Sequence, residues 1–302
     1  MKVLFMSKNL NCLKFLTKNR RLTATILSIG SCLGAIATSL QPLSAAVIGQ
    51  DDRFTPTYEQ LTSSGQQLKA VGQLITETAD GKYNWCTFTV IGRNIGLTNA
   101  HCIVDDKGAP KQIKAAYPVR HGDRALTVTN VDGYWIGRDT APVYVEDFTR
   151  DWAIIRFTAN LGDLTGWLGN AEWNPNDINS AGQRVLGLTA GYVGYPQDWP
   201  TDATLQPGDV RGSIPALQYG CTIQKVEGGI LWHDCDTTGG TSGSSLFTAV
   251  SQTDFRTIGL HCAEYPVQNP YINLAVPLER FMPAVLKLRE TGAASDTVVP
   301  LP

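Results

Sequence analysis

TTGGTSGSSLF, residues 237–247, places a cluster of glycines and hydroxyl side chains directly before two large apolar residues. Clusters of this kind ordinarily mark surface turns. Here Gly240 and Gly243 allow the backbone to turn sharply, so that amide N–H groups converge on one point and Ser242 projects from the turn. The stretch therefore reads as a nucleophile turn, with Ser242 as nucleophile and the amides of Gly240 and Ser242 as oxyanion donors. Ser244 and Ser245 lie beside it and serve as internal controls. A nucleophilic serine also needs a base and a group that orients the base. Both have to come from elsewhere in the chain.

Four histidines are available, His101, His121, His233 and His261. His101 lies in LTNAHC (97–102), just after an apolar run and beside a cysteine. Asp151 opens DWAIIRF (151–157), where an acid at the head of an apolar strand is partly buried and needs a hydrogen-bond donor. An imidazole N–H is a suitable one. Asp139 and Asp147 compete for this role, but neither leads directly into so apolar a run. Taken singly, a histidine is more often a plain surface residue and an acid at a strand end is common.

The rest of the pattern is short. Apolar runs of five to eight residues, separated by Gly, Asp, Asn or Pro, indicate an all-β barrel or sandwich. CTFTVI (86–91) and IGLTNA (95–100) flank GRN, and CTIQKV (221–226) and ILWHDC (230–235) flank EGG. DWAIIRF, RVLGLTAGYVGY (184–195) and INLAVPL (272–278) read as further strands. Helical periodicity is confined to Leu278, Phe281, Met282, Val285 and Leu286, with Pro283 leaving the start of the helix open. NAEWNPNDINSAGQ (170–183) is the candidate connection between two halves, which gives segments 47–169 and 170–291 and a tail over 292–302.

Residues 1–21 carry Lys2, Lys8, Lys14, Lys18, Arg20 and Arg21 and no acid, and an apolar run continues to Leu40. With the small residues SAA ahead of Val47, residues 1–46 read as a secretory leader cut after Ala46. A cut after Ala37 would leave 38–46 as a short pro-segment, and an uncleaved membrane anchor is the other alternative. A secreted or periplasmic location suits the cysteines. Cys12 and Cys32 fall in the leader, Cys86 and Cys102 end one local loop, and Cys221 and Cys235 stand at the two far ends of a hairpin. Two short-range disulfides follow, with Cys262 a buried free thiol. No CxxC pair or HxxxH is present, so neither a metal nor a cofactor is expected. At 43% hydrophobic, 17% charged and a formal net charge of −2, the chain has no charge excess pointing to nucleic acid or a membrane surface. A monomer acting on polypeptides is the expectation.

TNAHC, DWAIIRF and GTSGSSLF, in the order His, Asp, Ser, resemble the three signature segments of the chymotrypsin-like serine endopeptidases, over about residues 50–290. VIGQDDR (47–53), GYPQD (194–198), HDCDTTGG (233–240) and GLH (259–261) are similar to the bacterial glutamyl endopeptidases within that group. The resemblance implies two six-stranded antiparallel β-barrels with the active site between them, His101 and Asp151 from the first and Ser242 from the second. It also implies cleavage after Glu, and less after Asp, with Thr237, His261 and the free amino terminus of Val47 binding the substrate carboxylate. A hydroxyl, an imidazole and an α-ammonium supply hydrogen bonds and positive charge without a buried Arg or Lys. There are departures. Thr241 stands where trypsin has the Asp that pairs with its new amino terminus, which excludes that activation ion pair. Ser245 replaces the usual Pro, and Glu264 replaces the subgroup's usual Gly at the pocket rim, where a carboxylate opposes an acidic substrate. The alternatives are the same fold with another side-chain preference, or a catalytically dead protease-like binding protein. An α/β-hydrolase fits less well, because its elbow is G-x-S-x-G and Ser244 holds the last position here.

Overall fold

A computed structural model describes residues 46–302 apart from 64–66, 79, 106–107, 137–146, 172–188, 250, 252–253, 266–271, 292–298 and 301–302. Nearly all of the leader, Asp139, most of the candidate connection and most of the tail lie outside the described residues.

Strands are the dominant regular elements among the described residues. The first sheet holds β1 (Val71–Glu77), β2 (Tyr83–Val90), β3 (Ile95–Thr98), β4 (Gln112–Pro118), β5 (Val131–Ile136) and β6 (Ala153–Phe157). The second holds β7 (Gly169–Asn170), β8 (Thr189–Gly194), β9 (Ala216–Glu227), β10 (Ile230–His233), β11 (Ser245–Ala249), β12 (Phe255–Tyr265) and β13 (Ile272–Pro277). β14 (Val299–Pro300) returns to the first sheet.

The second sheet closes. Its order is β11-β8-β9-β10-β13-β12, and β12 pairs back onto β11 to complete a six-stranded barrel, with β7 added in parallel outside β12. The first sheet runs β14-β5-β6-β3-β2-β1-β4 and closes less fully. The free edge of β5 is taken by β14, through Val299 opposite Tyr134, and β4 reaches the chain entering β5 through the isolated Ala116–Thr129 bridge and a Leu126 N–H to Pro118 carbonyl bond. The two-barrel architecture is therefore present as one closed barrel and one partly closed sheet.

Two clusters fill the sheets, and the first also takes in Val193, Leu217, Phe247 and Phe255 of the second sheet. Leu74, Phe88, Val90, Ile103, Ile155 and Phe157 fill the first, and Tyr192, Ile223, Leu231, Leu246 and Ile258 fill the second. A third cluster, including Leu97, Trp152, Leu260, Leu274, Phe281 and Val285, joins both sheets to the helix Met282–Thr291. Fully burying a side chain of this size stabilises by about 1.5–3 kcal/mol, so this cluster is a large part of what holds the two halves together. The helix differs from the periodicity expected of it. A 3-10 turn over Leu278–Arg280 precedes it and shifts the phase, so Phe281, Val285 and Leu288 are buried while Leu286 is 50% exposed. Pro283 is accommodated in the first turn, where its missing N–H has no helical acceptor to lose.

Both expected disulfides are closed. Cys86 on β2 is bonded to Cys102 on the short helix Ala100–Ile103, and Cys221 to Cys235 across the β9–β10 hairpin. Cys262 is buried and free. The first bridge anchors the segment that carries His101. Replacing Cys86 and Cys102 together by Ser should lower stability by about 3 kcal/mol, given the sequence separation of 16. Denaturant unfolding measures that loss. Turnover measured well below the new unfolding midpoint should fall as well, because the His101 segment loses its tether.

Candidate active site

The turn around Ser242 is built by two glycines that nothing else can replace. Gly240 has φ +93° and Gly243 φ +89°, in the left-handed region that L side chains rarely adopt. A Cβ at Gly243 would overlap the Thr87 carbonyl oxygen and Thr98 Oγ1, and one at Gly240 would overlap the Tyr195 carbonyl oxygen and the Trp85 indole nitrogen. The turn is tied to both sheets. The Thr87 N–H donates to the Ser242 carbonyl at 2.8 Å, and Thr87 Oγ1 donates to the Gly240 carbonyl at 2.9 Å. On the other side the Gly243 N–H donates to the His261 carbonyl at 3.0 Å, and the His261 N–H to the Ser244 carbonyl at 2.9 Å. Ser244 and Ser245 are buried, whereas Ser242 is partly exposed. Among the described residues the amides of Gly240 and Ser242 donate to no acceptor in the chain.

β3 and β6 pair so that Thr98 faces Ala153, which brings the segments just beyond them together. Asp151, 3% exposed, accepts the His101 backbone N–H at 3.0 Å through one carboxylate oxygen and meets His101 Nδ1 at 2.7 Å through the other. Asn99 Nδ2 donates to the Asp151 carbonyl at 2.6 Å. The carboxylate thus fixes the imidazole with its proton on Nδ1 and leaves Nε2 as the basic atom. The ring is 33% exposed. Among the described residues no hydrogen bond joins His101 Nε2 to Ser242 Oγ, although Cys102, next to His101, has its sulfur 4.0 Å from the Ser242 carbonyl oxygen. Such contacts are often long in resting sites and tighten with substrate. The competing Asp147 pairs with Arg150 at the surface. Cys86, His101 and Cys102 place possible metal-ligating atoms within 4.8 Å of one another, but the two sulfurs are bonded to each other and offer no thiolate.

Thr237 and His261 are fully buried, and Thr237 Oγ1 and His261 Nε2 are without hydrogen-bond partners. Burial pushes the His261 pKa well below its ordinary value, so the ring is neutral. Val47 follows Ala46, whose carbonyl accepts the Thr237 N–H at 3.0 Å and Asn273 Nδ2 at 2.7 Å. The Ala46 N–H donates back to Asn273 Oδ1 at 3.0 Å. Further on, Asp236 accepts the N–H groups of Ile48 at 2.6 Å and Asp52 at 3.3 Å. Glu264 is partly buried on β12, and burial raises its pKa.

Sequence reasoning did not single out Arg53, Asp236 or Asn273. Asn273 was visible as the one amide within the apolar run INLAVPL; Arg53 and Asp236 lie in VIGQDDR and HDCDTTGG, but nothing in those segments marks them out individually.

A trypsin-like peptidase domain model matches residues 86–253. A glutamyl endopeptidase of Staphylococcus aureus (strain MRSA252) is 26% identical over 213 residues, covering 64% of this chain and 51% of that protein. The chain thus spans about half the length of the curated relatives it matches. In three dimensions it is similar to a Glu endopeptidase solved in complex with MPD, with TM-score 0.61 and 19% identity over 83% of this chain and 100% of the other. It is also similar to the protease Anisep from Arthrobacter nicotinovorans, with TM-score 0.53 and 16% identity over 72% and 96%. At these identities the structural likeness establishes the fold alone. The domain match covers more than half of the 302 residues and runs from Cys86 through His101 and Asp151 to beyond Ser242, and the chain belongs to the trypsin-like peptidase family.

Proposed function

We propose that the protein is a secreted serine endopeptidase that cleaves polypeptides after Glu, and less readily after Asp. The observation that carries the reading is the 2.7 Å contact of His101 with buried Asp151, beside a rigid turn whose Gly240 and Ser242 amides have no acceptor. Ser242 Oγ attacks the scissile carbonyl carbon as His101 Nε2 takes its proton, and the Gly240 and Ser242 amides receive the oxyanion. The imidazolium, stabilised by Asp151, returns the proton to the leaving amine. Water then hydrolyses the acyl-enzyme by the same route. Metal and cofactor have no part in this reading.

The preference for Glu is supported by the relatives' names and by Thr237 and His261. A buried donor without a partner costs about 1–3 kcal/mol, which a substrate carboxylate recovers on binding. Cleavage after Ala46 would remove the Ala46 contacts to Thr237 and Asn273 and leave the Val47 α-ammonium next to the groups they vacate, in a segment still held by the Ile48 N–H on Asp236. Export is supported by the leader pattern and by two disulfides, which persist in oxidising compartments. Among the described residues no helix is long and apolar enough to cross a membrane.

Ser242→Ala should reduce turnover about 10⁶-fold and abolish labelling by a fluorophosphonate probe, while Ser244→Ala retains both. Asp151→Asn should lose about 10⁴-fold by favouring the wrong imidazole tautomer. On a peptide panel varying only the residue before the scissile bond, Glu should give the highest kcat/KM. Faster cleavage after Arg, Lys or Phe would remove the specificity reading while leaving the nucleophile untouched. Amino-terminal sequencing of the exported protein should begin at Val47, and one residue added ahead of it should weaken the preference for Glu.

A further inference from the structure

The closed barrel buries two histidines in contact, and only His261 has a part in the reading above. His233 ends β10 and faces the barrel interior on the same side as Leu231, with no exposed surface. Its Nε2 lies 3.2 Å from His261 Nδ1, and the rings meet edge to face at 80°. Burial holds both pKa values down, His233 at about 4, so at neutral pH each ring is uncharged and carries one proton.

Where those protons sit follows from the neighbours. The Cys235 backbone N–H points at His233 Nδ1 from 3.3 Å, so that nitrogen is an acceptor and the His233 proton is on Nε2. His233 Nε2–H then donates to His261 Nδ1. With Nδ1 accepting, His261 carries its own proton on Nε2, the buried atom that has no partner. The opposite arrangement would set two N–H groups against each other at His233 Nδ1. The Leu274 carbonyl lies beside both rings and can accept from whichever nitrogen there bears hydrogen, so it does not choose between the arrangements; the Cys235 amide does.

We infer that His233 is a positioning residue that fixes His261 in the Nε2–H tautomer, so that the pocket presents a hydrogen-bond donor to an acidic side chain. The inference rests on the role proposed above for His261 and adds what sets its chemistry. A lone pair at the same place would repel a carboxylate and would accept the amide N–H of glutamine. The tautomer therefore decides between Glu and Gln, two side chains of nearly the same shape.

Nitrogen-15 histidine spectra of the full chain carrying Ser242→Ala, which suppresses self-cleavage, read the tautomers without any substrate. At pH 7 both His233 and His261 should show a protonated Nε2 and an unprotonated Nδ1. A His261 proton on Nδ1, or a cationic ring, would overturn the inference whatever the enzyme cleaves. In the active chain, His233→Gln keeps an N–H donor near the position of Nε2 and should retain the Glu over Gln ratio of kcat/KM within about threefold. His233→Leu should lower that ratio about tenfold, the size of one hydrogen bond, chiefly through KM. A folded His233→Leu variant with an unchanged ratio would also overturn it. If that variant does not fold, the tautomer spectrum decides alone. A wild-type enzyme with no preference for Glu would instead remove the underlying reading and leave the tautomer result standing.

Discussion

The Ser242 turn leaves no room for a side chain at Gly243, where an added Cβ would overlap the Thr87 carbonyl oxygen on β2 and Thr98 Oγ1 on β3. Those two strands belong to the first sheet and Gly243 to the second unit. Thr87 follows Cys86, whose disulfide holds the His101 segment, and Thr98 stands three residues before His101. The spacing between the Ser242 turn and the His101 segment is therefore set by close contact with Thr87 and Thr98, including the main-chain hydrogen bond from the Thr87 N–H to the Ser242 carbonyl. Main chain yields little, and a misplacement of about 1 Å can cost a hundredfold in rate. The glycine is needed for this reason as much as for its φ.

A second constraint fixes the turn from the amino-terminal side. Arg53 is buried, with its side chain 1% exposed, and makes paired contacts to Asp51 and to Asp198. Burial acts to lower its pKa, but hydrogen bonds to the two carboxylates outweigh that and leave it raised, so the guanidinium stays charged. Asp198 also accepts Thr238 Oγ1, and the adjacent Gln197 N–H donates to the Gly239 carbonyl at 2.6 Å. Buried ion pairs are weak sources of net stability. This one holds residues 51–53 in register with the loop that leads into Ser242, and so positions the segment carrying Val47.

What could be read from the sequence was local. The glycine-flanked serine, the histidine beside a cysteine after an apolar run, and the acid heading DWAIIRF each sit in a few consecutive residues, and the structure brings the last two into contact. The β9–β10 hairpin put Cys221 opposite Cys235 for the same reason. What could not be read depends on distant partners. The 3-10 turn that carried Leu286 off the buried face, the β14 strand on the edge of β5, and the carboxylates that accept Arg53 are set by long-range packing. His233 is an intermediate case. Alternation along ILWH places it on the same face as the buried Leu231, but only the fold puts His261 against it.

The same packing sets which way Glu264 faces. His261 and Glu264 are three residues apart and would lie on opposite faces of a regular strand. β12 is not regular here. His261 pairs with Ala275 and Ala263 with Leu274, so Cys262 is an extra residue, and Glu264 comes opposite Asn273. Asn273 and Ala275 share the inward face, and His233 also pairs with Asn273. The shift thus turns His261, His233, Asn273 and Glu264 to one side. Three of the four are fully buried and uncharged, and Glu264, partly buried, has its pKa raised by that burial. A buried fixed cation would cost more to desolvate than a neutral donor.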